Sequence, residues 1–591
     1  MVERFLITTP IEETWPNSFR PVIFLGEWCR LYNKKRNWSH MDAVVMPYHW
    51  YDRKKLEKDY YYIQNIYEIT LRSLSYKLNE FHKKDYSERY WRIVLGPWLS
   101  TFIEILFDRW YSIKKCYSDY DISDSTILKY DTKDMIPNYS KDFRVVDDNF
   151  NHYIYGEIIK YNKLPYTQKL LTSNNKEKKD IKDIKDIKDI KFSKGIQIGI
   201  FSFLNSFSHI FVKNKDVFIT ASYLSKIDEL KLFLKLKQYP FIKRTFEVEK
   251  ASPNMMLRNW TLKIPIKNKF SNFVSEFIPK NIPTAYLEGY ANLEKLTDSL
   301  PWPKNPPIIF TSNSFKNDDV FKAWAAKKIE NNSRLYIGQH GGAYGTMKFN
   351  STEKHEVLIS DRYLSWGWDD KQSNKVFPLG QIINRTPLKV NHYNNDTIFL
   401  VTCTAWSRYS NRLYNCVISS QVLDYIENIF SFTTFLGDYL QTKLLVRLQT
   451  MDNGWNIKNR WHDRFPSIKL DNGDNNIEAL IKRSKIYVHT ENSTTFLESL
   501  TMNVPTILFL NPYYWQLNST TATYFADLKR VGIFHDSPKS AAKHINEVWN
   551  NVEGWWSDKE VRSIVNKFCN RYSLKRNDIS QDIYKQLRDF T

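Results

Sequence analysis

Glu491-Asn492-Ser493-Thr494-Thr495-Phe496-Leu497-Glu498-Ser499-Leu500 lies between the apolar runs 485–489 and 504–510. Strand, hydroxyl-rich turn, helix and strand is the order this pattern predicts. It places free backbone N–H groups and small hydroxyl and amide side chains at one helix N-terminus, a geometry suited to an anion, most often a phosphate. Thr495-x-x-Glu498 also reads as a plain capping box, which would satisfy the same N–H groups without a ligand. The balance shifts toward a ligand because the turn follows a strand within an alternating strand and helix pattern, and open parallel sheets bind ligands at that edge.

A second group of reactive residues closes another expected strand: Gln339-His340-Gly341-Gly342-Ala343-Tyr344-Gly345. Gly341 and Gly342 allow a ligand to approach the backbone, and His340 at a strand end suits a general base or a phosphate donor. Glu356 and Asp361 precede the strand-like 363–366, so either carboxylate is a candidate for the same cleft; capping or pairing with Arg362 is the plainer role for each. Arg447, ending the 443–448 strand, is a candidate phosphate or carboxylate clamp. Glu491 is placed to hold a ribose or sugar hydroxyl, and Glu27, just past the 21–25 strand, aims a further carboxylate at the cleft. A G-x-G-x-x-G fingerprint and a Walker loop are missing, which argues against a dinucleotide dehydrogenase and a P-loop kinase.

The elements that must position these residues are strands and helices in alternation. Strands are expected at 5–8, 21–25, 196–201, 217–221, 307–311, 334–337, 397–402, 443–448, 468–470, 485–489 and 506–510, with a dipole-matched helix over 318–329. From about 53 to 115 the spacing turns helical. One stripe carries Ile63, Ile66, Tyr67, Leu71, Leu74 and Leu78; a second, from Trp98 to Trp110, follows a break expected at Gly96-Pro97. The near-perfect Lys-Asp-Ile repeat within 174–191 reads as a mobile surface loop. The fold class is therefore α/β with parallel sheets. It divides into an N-terminal α/β domain over 1–390, a C-terminal one over 391–557 and a charged helical tail over 558–591 that is placed to pack back across the first.

At 591 residues and 42% apolar composition the chain is folded and multidomain. Its net charge of +20 suggests an acidic partner, but no compact Lys/Arg block interleaved with aromatics stands out, so nucleic acid is not expected. Five scattered cysteines imply neither a disulfide framework nor a thiolate metal site and fit a reducing cytosol. The N-terminus does not read as a signal peptide, and no apolar run reaches the roughly 18 residues of a membrane helix, so any membrane contact is expected to be peripheral.

The stretches 339–345, 359–368 and 493–500 with Pro505, together with 5–10 and 25–29, resemble the transferases encoded in bacterial O-antigen and other surface-carbohydrate loci. More distantly, the strand-end His-Gly and the Ser-Thr turn are similar to GT-B glycosyltransferases and to glycerophosphate polymerases of teichoic acid synthesis. The resemblance implies two Rossmann-type domains facing a cleft, with the donor nucleotide mainly on the C-terminal one. In GT-B enzymes that use CMP-activated ulosonic acids such a turn contacts the donor phosphate, a role it transfers here to Ser493, Thr494 and Thr495, with His340 as the catalytic His-Gly histidine. The expected activity is sugar transfer from a nucleotide-sugar, without cofactor or metal, to a glycan or lipid-linked acceptor at the cytoplasmic face of the inner membrane. Glu27 or Asp361 would supply the carboxylate. Two alternatives stand beside it: a CDP-polyol phosphotransferase using the same cleft, and a non-catalytic basic scaffold.

Overall fold

The computed structural model describes residues 2–17, 19–170, 212–240, 246–371, 373–383, 395–402 and 406–588. The Lys-Asp-Ile repeat, the strand expected at 196–201 and most of the stretch leading to Asn395 lie outside the described residues.

Three parallel sheets organise the chain. The first has β1 (Arg4–Ile7), β2 (Val22–Phe24), β3 (Ala43–Val45), β4 (Ile122–Lys129) and β5 (Thr167–Leu170) in the order β3-β2-β1-β4-β5. The second runs in simple succession, β10-β9-β8-β7-β6, from β6 (Phe218–Thr220), β7 (Ile308–Thr311), β8 (Arg334–Gly338), β9 (Arg362–Ser365) and β10 (Val376–Pro378). The third comprises β11 (Ile398–Val401), β12 (Leu444–Arg447), β13 (Lys469–Asp471), β14 (Ile486–His489), β15 (Thr506–Phe509) and β16 (Phe534–His535), in the order β13-β12-β11-β14-β15-β16. The α/β class with parallel sheets is as the alternation required. Strands β7, β11, β14 and β15 are buried along their whole length, which is why they read as unbroken apolar runs. Residues 1–390 hold two of the sheets, one ending at Leu170 and one starting at Phe218.

In the first and third sheets the chain order reverses beside the first strand, which creates a crevice at the carboxyl ends of the flanking strands. The crevice of the first sheet is filled by His152. Its Nε2 accepts the Leu128 N–H at 3.1 Å, and its Nδ1 lies 3.2 and 3.3 Å from the Thr8 and Thr9 hydroxyls. The crevice of the third sheet, between β11 and β14, is open.

The helical region consists of two long helices, Arg53–His82 and Glu88–Asp119. Asp52 caps the first by accepting the Lys54 and Lys55 N–H groups, and Ser87 caps the second through Tyr90. Contrary to the expected break, Glu88–Asp119 continues through Pro97. A proline inside a helix costs about 3 kcal/mol, but Trp98, Leu99, Phe102 and Ile103 are all essentially inaccessible to solvent, and each such burial contributes roughly 1.5–3 kcal/mol. Packing outweighs the local signal. Gly96 is required for another reason: a Cβ there would come within 2.5 Å of the His355 ring. The helix thus lies directly against Ser351–Ile359, and it also packs on Asp319–Glu330, joining the first sheet to the second.

The C-terminal helices Lys559–Tyr572 and Ile579–Arg588 close the molecule. The first packs on helices of the third sheet. The chain then crosses to the second, where the Leu574 N–H donates to the Trp366 carbonyl and the Gln381 N–H to the Leu574 carbonyl, each at 2.8 Å.

Candidate functional site

Strand β14 ends at His489, and the helix Thr494–Thr501 begins five residues later with Ser493 as its N-cap. The Ser493 side chain makes no cap hydrogen bond. Thr495 is the second helical residue rather than the cap, so the capping box with Glu498 does not form. The Thr495 hydroxyl instead meets the Nε2 of His489 at 2.7 Å, while the His489 Nδ1 accepts the Glu491 N–H at 3.1 Å. That second bond fixes the tautomer: with Nδ1 accepting, the neutral ring carries its proton on Nε2 and donates to Thr495. Burial lowers the His489 pKa to about 4, so the ring is neutral at pH 7 and serves as a fixed brace for the turn.

The turn opens on a cavity of 160 Å³ lined by Val401, Thr402, Arg447, Glu491, Ser493 and Thr494, with Thr495 and His489 behind them. Because Val401 ends β11 and His489 ends β14, this is the crevice at the order reversal of the third sheet. Arg447 contributes its guanidinium to the wall while holding the 471–475 loop. It donates to the Asp471 carboxylate at 2.6 Å and to the Asn475 and Gly473 carbonyls at 2.8 and 3.0 Å. The structure thus brings together Arg447, Glu491, Ser493, Thr494 and Thr495.

The second sheet meets this turn from outside the cavity lining. The Gly342 N–H donates to the Thr494 hydroxyl at 2.9 Å, and a Cβ at Gly342 would stand 2.3 Å from the Ser493 carbonyl carbon. Only a residue without a side chain allows this approach. Neighbouring bonds hold the loop in place: Asn492 Nδ2 donates to the Thr346 hydroxyl and Asn518 Nδ2 to the Gly345 carbonyl, both at 2.8 Å.

His340, two residues past β8, turns its ring inward, among the rings of Tyr223, Phe315 and Tyr344. Its Nδ1 is 3.9 Å from the Glu356 carboxyl, and the Tyr344 hydroxyl donates to Glu356 at 2.8 Å while lying 3.4 Å from the His340 Nε2. Burial, helped by the Lys316 charge, lowers His340 to about 4, and burial raises Glu356 to about 8. At pH 7 the histidine is a neutral base and the glutamate a neutral acid. The backbone beside His340 borders the 493–495 turn, whereas the named neighbours of its imidazole all belong to the second-sheet half.

A family model described as LIC12162 family transferase matches residues 4–587. The chain belongs to this family. A comparison with curated proteins finds no match. Among solved structures, the wall teichoic acid polymerase TagF soaked with CDPG is similar at 11% identity over 71% of this chain and 98% of the other, with a TM-score of 0.30. WaaG, a glycosyltransferase involved in lipopolysaccharide biosynthesis, is similar at 11% identity over 52% and 95%, with a TM-score of 0.26.

Two sequence candidates of this LIC12162 family transferase stand apart from the site. Glu27 is engaged by Arg30 at 2.6 Å, and its backbone N–H donates to the Ser420 hydroxyl at 3.2 Å. It does not line the 160 Å³ cavity. Asp361 lies at the amino-terminal edge of the second sheet, a full strand away from His340. There it accepts the Leu335 N–H and pairs with Arg89, both at 2.7 Å. The expected cleft carboxylate is therefore a clip between strand starts, because it precedes β9 rather than following it. Glu356 occupies the place beside His340. His489, which sequence reasoning passed over, had one available signal, its position as the last residue of a strand leading into the hydroxyl turn.

Proposed function

We propose that this transferase moves a sugar from a nucleotide-sugar donor, of which a CMP-activated ulosonic acid is one form, to a glycan or lipid-linked acceptor of surface polysaccharide, in the manner of GT-B glycosyltransferases. One observation carries the reading: a helix whose N-cap side chain, Ser493, makes no cap bond opens, with three hydroxyl side chains, on a cavity at the order reversal of a parallel sheet. When the bond from the anomeric carbon to the donor oxygen breaks, negative charge builds on the departing phosphate. The 494 helix end, the 493–495 hydroxyls and the Arg447 guanidinium are fixed where that charge develops. His340, neutral at pH 7, is the group that accepts the acceptor proton, and an anion arriving nearby raises its basicity.

The same reading includes peripheral contact with an anionic bilayer. Among the described residues no helix is long and apolar enough to cross a membrane. The helix Lys226–Lys235 instead leaves Ile227 and Leu234 68% and 66% exposed on one side, beside Lys226 and Lys231.

The test is isothermal titration with CMP, CDP, UDP and GDP. At least one binds, and Ser493→Ala weakens it roughly ten- to a hundredfold, the value of a hydrogen bond to a charged group. This variant isolates the ligand role, since among the described residues the Ser493 hydroxyl has only a 3.4 Å contact with His489. Absence of binding by all four, or full affinity in Ser493→Ala, refutes the seat. Release of CMP with a phosphodiester in the product would convert the assignment to polyol phosphate transfer.

A further inference from the structure

A second cavity, of 230 Å³, opens where the Glu88–Asp119 helix meets Ser314–Asn317, Ser351–Ile359 and the 411–412 loop. One wall is the carboxyl of Glu104, 2% exposed, which accepts the Leu413 N–H at 2.9 Å and the Ser100 hydroxyl at 3.2 Å. Three cations also line the space, and one of them, Lys141, is paired with Glu247. Lys316 has no ion-pair partner among the described residues, and Arg412 sits at the exposed rim with its guanidinium 3.4 Å from the Tyr414 hydroxyl. Burial holds Lys316 down at about 8 and Glu104 up at about 7.

The cavity backs onto His340. Phe315, adjacent to Lys316, has its ring 6.5 Å from the His340 ring and 6.3 Å from that of His355. At 230 Å³ it falls below the roughly 300–1,000 Å³ of sites for drug-sized ligands. That size suits one sugar ring. With Lys141 held by Glu247, Lys316 and Arg412 against Glu104 favour a single negative charge over a dianion, and the Ser and Thr hydroxyls with Glu104 suit a ring rich in hydroxyl groups.

We infer that this cavity binds one carboxylate-bearing sugar unit, its carboxylate between Lys316 and Arg412, its hydroxyls on Glu104 and the neighbouring serines and threonines, and its apolar face near Trp98. Its role as the acceptor seat rests on the sugar-transfer reading above. Its ligand chemistry does not.

The experiment uses the full chain with galacturonate, galactose and inorganic phosphate as probes, followed by saturation-transfer NMR and titration calorimetry. Galacturonate binds about tenfold more tightly than galactose, and Lys316→Gln and, separately, Arg412→Gln each weaken it about fivefold or more while leaving nucleotide affinity unchanged. Arg412 is at the surface, so this variant stays informative if the half-buried Lys316 variant folds poorly. Ser493→Ala has the opposite pattern, losing nucleotide and keeping galacturonate. No galacturonate binding, equal binding of galactose, displacement by equimolar phosphate, or full affinity in both variants overturns the inference. If no nucleotide binds but the galacturonate results hold, only the acceptor role falls.

Discussion

Replacing Gly342 with alanine puts a methyl carbon 2.3 Å from the Ser493 carbonyl carbon, 2.5 Å from the Thr494 nitrogen and 2.7 Å from the Ser493 oxygen. All three are backbone atoms and cannot swing aside. The loop and the helix end must separate, which costs about 1–3 kcal/mol of overpacking. Separation also stretches the 2.9 Å bond from the Gly342 N–H to Thr494, worth about 1 kcal/mol, for a combined loss of about 2–4 kcal/mol. Gly341 supplies the control, since a Cβ there meets nothing closer than 3.6 Å, and its substitution should stay within about 0.5 kcal/mol. Neither glycine lies in the left-handed region, so backbone strain does not confuse the comparison. Hydrogen exchange at amides 494–497, read by mass spectrometry beside calorimetric melting, reports both the local opening and the stability loss. Gly342→Ala exchanges faster there, melts lower and binds nucleotide more weakly, while Gly341→Ala matches wild type. Indistinguishable behaviour of the two variants would refute the close apposition of the second and third sheets at this site.

Further outcomes follow from the same geometry. Glu356, held at about 8 in the fold against about 4.3 when unfolded, makes the folded state the better proton binder between those values, so its contribution to stability falls as pH rises. Glu356→Gln, which keeps a partner for Tyr344, should gain in melting temperature relative to wild type from pH 4.5 to 8; a constant offset would contradict the buried neutral carboxyl. His489 works in the other direction. With its folded pKa at about 4 against about 6.5 unfolded, its contribution is complete above pH 6.5 and is lost as pH falls toward 4, and His489→Gln should flatten that limb in denaturation curves. Asp361→Asn should lower the melting temperature through the Arg89 pair while leaving kcat per folded molecule near wild type; a kcat loss at unchanged stability would restore it to the chemistry. Ile227→Ser with Leu234→Ser should abolish co-sedimentation with vesicles containing anionic lipid, and equal sedimentation of wild type and variant would exclude this helix as the contact.

The fold was legible wherever a strand is buried on both faces. Ile398–Val401, Ile486–His489 and Thr506–Phe509 are continuous apolar runs for that reason, and the 318–329 helix announces itself by Asp318, whose side chain accepts the Phe321 N–H as its cap. Strands β3, β4, β5, β10 and β16 were not legible. Four of these are sheet edges, and the fifth, Ile122–Lys129, carries Asp124 and Ser125 within a central strand. Periodicity also misread Gly96-Pro97, because the burial that keeps that helix continuous comes from elements far away in the chain.

Residue types and local order alone determined the parallel α/β class, the position of the hydroxyl turn at a strand end and the placement of His340 beside two glycines. These are short-range consequences of chain geometry, set within a few residues of each other. Tertiary structure alone decided that the Ser493 side chain makes no cap bond, that Gly342 touches Thr494, that Glu356 rather than Asp361 stands by His340, and that Glu104 and Lys316 share one cavity. Those facts depend on which strand edge a residue occupies and on how three separate sheets are docked. Docking is set by the summed burial of many side chains, and no local pattern carries that sum.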